Sequence, residues 1–356
     1  MSGGCAAGAL TLALGRSRWV GLRLTAVGDC DLSTERRQYE RTVRGKGESA
    51  LRGNMDLLAR LGYMLALLAV GVGARQAGLL SERRRDLLNG VAFYVALPAL
   101  IFNSTYQRSL GDIVTPQLVA GLWLVLGATV AIAWVVHSRT ESRATRSVAV
   151  VQSYHSNFGY LGLPLVASTL GGAAAAKGSI ILGVGALTQV PLTVLLLITM
   201  NDADASVTGE LRSVATNPVL VALASGLVVG AVGVAPPVPA TTGLALASEG
   251  ALPLALVLIG ASLELALPTE TLDTLGAVVG LKVVLMPALA WVAFTALSAD
   301  PLTRNAGVIM FGAPTAVSTF VYANELGGDA EFASTTVFAT TLISVATLGV
   351  VIGVVT

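Results

Sequence analysis

Charged side chains are scarce in this chain of 356 residues. Only 12% of its residues are Asp, Glu, Lys or Arg, whereas about 25% is usual in a soluble domain. Hydrophobic residues make up 54%. This composition excludes an ordinary soluble domain and indicates an integral membrane protein embedded in a lipid bilayer. The formal net charge of +1 gives no electrostatic basis for nucleic acid as a partner.

Cysteine is nearly absent, since Cys5 and Cys30 are the only two. Both lie in residues 1–54, so the rest of the chain can form neither a disulfide nor a thiolate metal site. The pattern Gly-x-x-x-x-Gly-Lys-Ser/Thr is missing, which argues against direct drive by ATP. An intramembrane hydrolase would need a nucleophile with a base, paired aspartates or metal ligands. The chain has only His137 and His155 as histidines and no His-Glu-x-x-His motif, so that alternative is disfavoured.

Apolar windows of about 20 residues, the length that crosses a hydrocarbon core of about 30 Å, recur along the chain. They predict an all-α integral membrane fold with ten transmembrane spans. The spans lie near residues 57–74, 87–105, 114–136, 147–170, 178–200, 214–233, 241–263, 274–297, 304–323 and 334–355.

Residues 1–54 differ from the rest of the chain. They hold nine of the 22 basic and five of the 21 acidic residues, which leaves thirteen bases and sixteen acids for residues 55–356. Their only apolar run follows no basic segment and leads to no clear cleavage site, so a signal peptide is not indicated. We expect a disordered or mis-annotated N-terminal extension, with Met55 as the first residue of the folded protein.

Basic residues near the span ends are unevenly distributed. From Met55 onward, loops after odd-numbered spans hold eight Lys or Arg and the opposite side holds four. Because cytoplasmic loops carry the excess of basic residues, both termini are predicted to lie outside the plasma membrane. The eight are Arg75, Arg83, Arg84, Arg85, Arg139, Arg143, Arg146 and Arg212, and the four are Arg60, Arg108, Lys177 and Arg304.

Prolines recur at similar spacings in the two halves of the chain. Pro98 and Pro253 are 155 residues apart, and Pro164 and Pro314 are 150 apart. A five-span unit therefore occurs twice, in residues 55–200 and 214–356, with a short loop at 201–213. Because five is odd, the second copy enters the membrane from the opposite face, which predicts an inverted repeat.

Two predicted spans contain helix-breaking segments, Ser156–Pro164 in span 4 and Phe311–Val317 in span 9. Gly and Pro cost about 1 and 3 kcal/mol in a helix interior. The hydrocarbon tolerates non-helical backbone only where it is buried in protein or lines a wet cavity. Paired interruptions at corresponding positions of two halves point to the substrate site of a transporter.

The half-helix starts at these breaks predict an anion site. They carry unpaired N–H groups and about half a positive charge. The Asn157 amide can donate to a substrate carboxylate, or it can satisfy the freed backbone groups instead. The glycines let the backbone approach closely. The substrate-binding candidates are Asn157, Gly159, Gly162, Pro164, Pro314, Thr315 and Ser318.

Three ionisable residues in or near the spans are candidates for coupling or for a counter-charge. Lys282 lies centrally in span 8, where inserting a charge costs free energy. Instead of a functional role, Lys282 could form a structural pair with a nearby acid or snorkel to the interface. His155 could titrate near neutral pH or be a buried, hydrogen-bonded histidine. Glu249 lies near the start of span 7 and is either functional or interfacial. The coupling ion could be sodium or a proton, and the sequence does not distinguish them. No other cofactor is indicated.

The segment Asn157–Leu165, with sequence NFGYLGLPL, resembles the auxin efflux carrier family of membrane transporters. The resemblance extends to Ala313–Ala323, with sequence APTAVSTFVYA, and to Asn217-Pro218. Lys282 and Pro287 are similar to a basic residue and a proline of the family's eighth span. The two broken-span motifs carry most of the likeness, which runs from about Met55 to the C-terminus.

The resemblance implies crossed broken helices 4 and 9 in a mobile domain of spans 3–5 and 8–10. Spans 1, 2, 6 and 7 form the scaffold, with a homodimer through spans 2 and 7. Family substrates are small organic anions such as malate and malonate. Asn157 matches the family's substrate-contacting asparagine, and Pro164 and Pro314 match its motif prolines. Ser318 departs from the pattern, because the plant carriers have proline there.

These observations lead to a secondary transporter of small organic anions, working by alternating access or elevator motion. A sodium-coupled symporter of the related bile acid group, with another substrate, shares the fold and is the alternative. The chain is not expected to be an enzyme.

Overall fold

The computed structural model describes residues 59, 62–203, 216–234, 236–262 and 271–355. Within these ranges the chain is helical, and its only β structure is one isolated bridge. The expectation for the extension at residues 1–54 lies outside the described residues, as does most of the predicted loop at 201–213.

The helices follow one another with short connections. In chain order they are α1 (residues 62–76), α2 (Glu82–Thr105), α3 (Leu110–Arg139), α4 (Arg143–Tyr154), α5 (Phe158–Leu170), α6 (Gly172–Asn201), α7 (Pro218–Val232), α8 (Val238–Ser262), α9 (Leu272–Ala296), α10 (Pro301–Gly312), α11 (Ser318–Glu325) and α12 (Ala330–Val355).

Six of these helices, α2, α3, α6, α8, α9 and α12, are long and apolar enough to cross a membrane. Large apolar side chains such as Trp123, Val135 and Val350 are exposed on them. Such exposure is expected where lipid tails, which are as apolar as leucine, surround the helices. The all-α, integral membrane character predicted from composition is confirmed.

Three of the long apolar segments contain a π-helical turn directly before a proline. The turns are Ala92–Ala96 before Pro98, Phe158–Gly162 before Pro164, and Gly280–Leu285 before Pro287. A proline lacks the N–H of the regular helix bond and clashes with the carbonyl four residues earlier. Widening the preceding turn accommodates it without ending the helix. Lys282 lies inside the third of these turns.

Glycines bring α1 against α8 and α7 against α2 at backbone distance. A Cβ at Gly71 of α1 would lie 2.1 Å from the Val257 carbonyl oxygen of α8. A Cβ at Gly226 of α7 would lie 2.1 Å from Oγ1 of Thr105 and 3.4 Å from Cα of Phe102, both in α2. Small residues permit such contact between membrane helices, where packing replaces the hydrophobic effect.

Polar contacts join the start of α10 to α6. The Asp300 side chain caps α10 by accepting from Thr303 N–H at 3.0 Å. It also accepts from Nζ of Lys177 in α6 at 3.1 Å. Burial by itself would raise the pKa of Asp300, but hydrogen bonds from Thr303 and the charge of Lys177 outweigh it, and the pKa lies below its usual value.

Gly71→Ala is predicted to destabilise the protein, because the new methyl would meet a carbonyl oxygen of the α8 backbone. Overpacking of this kind costs about 1–3 kcal/mol. Gly73→Ala is the matched control two residues further along α1, since nothing lies within 4 Å of its Cβ position. Thermal unfolding of the purified variants measures the difference. Equal melting temperatures would contradict the close packing of α1 on α8.

Asp300→Asn is predicted to lower the melting temperature near neutral pH and to matter less in acid. Asparagine can still cap α10, so the variant isolates the charge. A carboxyl with a lowered pKa in the folded state stabilises above its unfolded pKa of about 3.9, and this contribution is lost as the pH falls through the folded value. Unfolding curves at pH 7 and in progressively stronger acid test this, and a gap that widens below pH 4 would contradict it.

Candidate functional site

The two interrupted segments meet at their breaks. Ser156, between α4 and α5, forms an antiparallel bridge with Thr315, between α10 and α11. The Asn157 N–H donates to the Pro314 carbonyl at 2.8 Å, and the Ala316 N–H donates to the His155 carbonyl at 3.0 Å. We call this contact the crossing. It connects four half-helices through these main-chain hydrogen bonds and through the Thr315 hydroxyl, which donates to the His155 carbonyl at 3.2 Å.

Local sequence explains where each segment breaks. Pro314 disfavours helical backbone at the preceding residue, and Ala313 is extended, with φ −60° and ψ 147°. In the first segment His155 is extended and Asn157 has φ −77° and ψ 68°. Asparagine and serine compete for backbone hydrogen bonds and therefore favour helix ends over helix interiors.

The first break is shorter than the sequence predicted. The expectation of an unwound segment from Ser156 to Pro164 is wrong for residues 158–164, which are helical. The π-helical turn at Phe158–Gly162 accommodates Pro164, so this proline lies in the first turn of a regular helix that follows the turn and does not break the segment. Only residues 155–157 depart from helix here, as do residues 313–317 in the second segment.

The backbone groups freed at the first break largely find partners inside the protein. The Ser156 N–H donates to Oε1 of Gln189 in α6 at 2.7 Å. The Tyr160 N–H donates to Oδ1 of Asn157 at 3.0 Å, so the asparagine caps α5. The expectation of unpaired N–H groups therefore does not hold at Ser156 and Tyr160, because side-chain oxygens accept from both.

The Nδ2 amide of Asn157 is a donor group that the surrounding protein does not use. Its residue is only 5% exposed, and its Oδ1 is occupied by the Tyr160 N–H. Among the residues that the structure describes, none accepts a hydrogen bond from Nδ2. Nδ2 is not among the fully buried side-chain atoms that lack a partner, so it remains accessible to an acceptor that enters beside the crossing.

Lys282 is completely buried in α9. Its Nζ donates to the Phe311 carbonyl at 3.1 Å and lies 3.2 Å from Sδ of Met286. Phe311 belongs to the last turn of α10, where unpaired carbonyls carry about half a negative charge. The ammonium thus compensates the end of a half-helix at the crossing, and full burial excludes snorkelling.

His155 is a buried, hydrogen-bonded histidine. It is 4% exposed, and its Nδ1 lies 2.8 Å from Oγ1 of Thr193 in α6. The same hydroxyl lies 2.8 Å from the Tyr154 hydroxyl. The side chain of His155 is therefore part of the packing between α4 and α6, while its carbonyl belongs to the crossing.

Two pockets lie at different depths along α2 and α8, and Asn157 lines neither of them. The first, which we call the α2-start pocket, has a volume of about 670 Å³ and is lined by Asn89, Tyr160 and Ser318 among others. The second, which we call the α2-end pocket, has a volume of about 360 Å³ and includes Pro164 and Glu249. It also contains Leu100 and Asn103 of α2, which lie about 16–21 Å along the helix from Asn89 at 1.5 Å per residue.

The candidate residues thus divide into three places. Asn157, Pro314, Thr315, His155 and Lys282 are at or next to the crossing. Ser318 lines the α2-start pocket, and Pro164 and the exposed Glu249 line the α2-end pocket.

The two glycines play different parts. A Cβ at Gly162 would lie 3.0 Å from Sδ of Met310 in α10 and 3.4 Å from the Asn157 carbonyl oxygen, so a larger residue here would require the Met310 side chain to shift. A Cβ at Gly159 would meet Leu182 at 3.8 Å and Leu97 at 3.9 Å, which is ordinary contact. Close approach therefore explains Gly162 and does not explain Gly159.

Sequence reasoning missed the supporting residues on α6 and α2. Gln189 and Thr193 are spaced one helical turn apart in a largely apolar span, and both bond to the first break. That spacing is a signal the sequence contained. Asn89 accepts from the Tyr160 hydroxyl at 2.6 Å, and it links α2 to α5. No local pattern marks Asn89, because the partner lies 71 residues away.

Comparison with known proteins identifies the class of molecule. A model of the family described as "Membrane transport protein" matches residues 61–352. The protein named "Putative malonate transporter" from Rhizobium meliloti (strain 1021) is 27% identical over 270 residues, covering 73% of this chain and 84% of that protein. An "Uncharacterized transporter" from Methanothermobacter thermautotrophicus is 26% identical over 295 residues, covering 82% of this chain and 93% of the relative.

Gln189→Leu is predicted to destabilise the fold by about 1–3 kcal/mol, because it leaves the buried Ser156 N–H without an acceptor. Leucine has a similar volume, so packing changes little. Thr199→Val is the matched control on the same helix, where the exposed hydroxyl donates to the Leu195 carbonyl of its own helix. Chemical or thermal unfolding in detergent measures the difference, and an unchanged Gln189→Leu variant would show that the break does not depend on α6.

Proposed function

We propose that this chain, which belongs to the membrane transport protein family, is a secondary transporter of small organic anions. The family match confirms the resemblance drawn from the two broken-span motifs, and the chain is a transporter and not an enzyme. One observation carries the choice of substrate class: no described residue accepts a hydrogen bond from the Nδ2 amide of Asn157 at the crossing, and this nitrogen is not fully buried.

The proposed site is positively polarised without a conventional charged pocket. Asn157 supplies the donor, and the starts of α5 and α11 contribute the partial positive charge of helix N-termini. Thr315 and Pro314 hold the backbone of the second break against the first, and Gly162 permits the close approach of α10. Lys282 donates to the Phe311 carbonyl behind the crossing. A carboxylate is the functional group that suits this combination of a neutral donor and distributed positive potential.

Alternating access is the proposed mechanism. In this proposal the ten spans form two inverted repeats, residues 55–200 and 214–356. Two glycine contacts support it: adding 155 to residues 71 and 102 gives 226 and 257, so Gly71 against Val257 corresponds to Gly226 against Phe102. The scaffold would consist of α1, α2, α7 and α8, and the mobile domain of α3–α6 and α9–α12. Moving that domain would connect the crossing alternately with each pocket.

Short dicarboxylates such as malonate and malate are the proposed substrates. The name of the Rhizobium meliloti relative supports malonate as the first compound to test. The proposed location is the plasma membrane, and the distribution of basic residues supports an orientation with both termini outside. A sodium ion or proton would drive the uptake, and a homodimer through α2 and α8 is the proposed assembly.

Asn157→Asp is predicted to abolish malonate uptake while leaving the fold intact. Aspartate retains the Oδ1 acceptor that caps α5, but it replaces the Nδ2 donor with a negative charge that repels the substrate carboxylate. We expect at least a tenfold loss of labelled malonate uptake into proteoliposomes, the scale of about 1.4 kcal/mol. Melting temperature in detergent checks the fold. Sodium and proton gradients are imposed separately to find the coupling ion.

Asn305→Ala is the matched control, because Asn305 in α10 bonds to the end of α12 and lines none of the pockets described above. Full malonate uptake by Asn157→Asp would remove Asn157 from the site. Absence of carboxylate uptake by the unmodified protein under every gradient would overturn the proposed function.

A further inference from the structure

A single arginine borders the space between the first turn of α2 and the second break. Arg85 lines the α2-start pocket, and it also lines an adjoining pocket of about 260 Å³. Both pockets include Ser262 at the end of α8 and Val317 at the second break. Among the described residues that line these two pockets, Arg85 is the only one with a positive charge.

The guanidinium of Arg85 has unused donor capacity. Its Nε is buried and has no hydrogen-bond partner within the described part of the chain. Among the described residues its nearest carboxylate is that of Glu82, 4.0 Å from Nη2, and the Glu82 side chain is 91% exposed, against 29% for Arg85. An ion pair at that distance with an exposed partner is weak, because water screens it. Arginine offers five donors in a fork that matches a carboxylate.

The pocket that contains Arg85 leads to the crossing. Tyr160 lines it, and the Tyr160 N–H donates to Oδ1 of Asn157. Ser318, the first residue of α11, lines it from the second break. An anion in this pocket therefore has the crossing on one side and the guanidinium on another. The carboxylates of Glu82 and Asp86 also line the pocket; both residues are exposed, so solvent and salt screen their charge.

We propose that Arg85 binds the second carboxylate of a dianionic substrate and so gives the carrier its preference for dicarboxylates over monocarboxylates. This inference rests on the proposed function, because it adds a subsite to the same anion pathway. Arg85 belongs to the proposed scaffold and not to the mobile domain. It therefore contacts the substrate only when the crossing faces the α2-start pocket, which is the cytoplasmic side in the proposed topology.

Arg85→Gln and Arg85→Lys test the subsite in proteoliposomes that take up labelled malonate. Losing a charge-assisted hydrogen-bonded pair weakens binding roughly 10- to 100-fold. We expect Arg85→Gln to raise the KM for malonate by that factor. The concentration of unlabelled propionate that inhibits uptake by half should change less than about threefold. Arg85→Lys, which keeps the charge but not the fork, should fall between.

Arg84→Gln is the matched control on the same helix, since Arg84 is exposed, donates to the Leu79 carbonyl and lines neither pocket. An unchanged malonate KM in Arg85→Gln, or an equal loss for malonate and propionate, would overturn the role of Arg85 and leave the proposed function standing. A variant that fails to fold is replaced by Arg85→Lys, whose malonate KM must still rise. Absence of any carboxylate uptake by the unmodified protein would overturn both.

Discussion

Two backbone hydrogen bonds at the crossing determine how the rest of the molecule is arranged. They join Asn157 to Pro314 and Ala316 to His155, and they pair main-chain groups that would otherwise be unsatisfied in the interior of a membrane protein. Side chains pair with two further backbone groups: Gln189 accepts from the Ser156 N–H, and Lys282 donates to the Phe311 carbonyl at the end of α10. The interruption of two helices is thus stabilised locally, and both remain part of one packed structure.

Close packing around the crossing depends on small residues at a few defined places. Gly162 admits Met310, and Phe158 packs edge-on against Phe311 with ring centroids 5.3 Å apart. These contacts join α5 to α10 in the proposed mobile domain. By contrast, α2 and α5 share a single polar contact between Asn89 and Tyr160 among the hydrogen bonds at the α2-start pocket. A second side-chain hydrogen bond joins α2 to α6, between the Ser104 and Ser179 hydroxyls at 3.2 Å. The proposed movement of the mobile domain would break both of these contacts.

Much of this architecture could be predicted from the sequence, for identifiable reasons. Apolar windows and the scarcity of charge determine the membrane class, and Pro314 together with Asn157 marks the two breaks. The extent of the first break could not be predicted, because a π-helical turn absorbs Pro164 without unwinding the chain. The capping role of Asn157 was one of two alternatives, and only geometry shows which oxygen is occupied. Gln189, Asn89 and Arg85 were missed because their importance depends on partners distant in sequence.

The central claim is that an organic anion binds at the crossing through the free amide donor of Asn157. A cryo-electron microscopy map of the full chain at saturating malonate tests it most directly. The account predicts ligand density within hydrogen-bond distance of Nδ2 of Asn157, at the inner end of the α2-start or α2-end pocket. Density for malonate at any other place, with the Asn157 amide bonded only to protein, would contradict it.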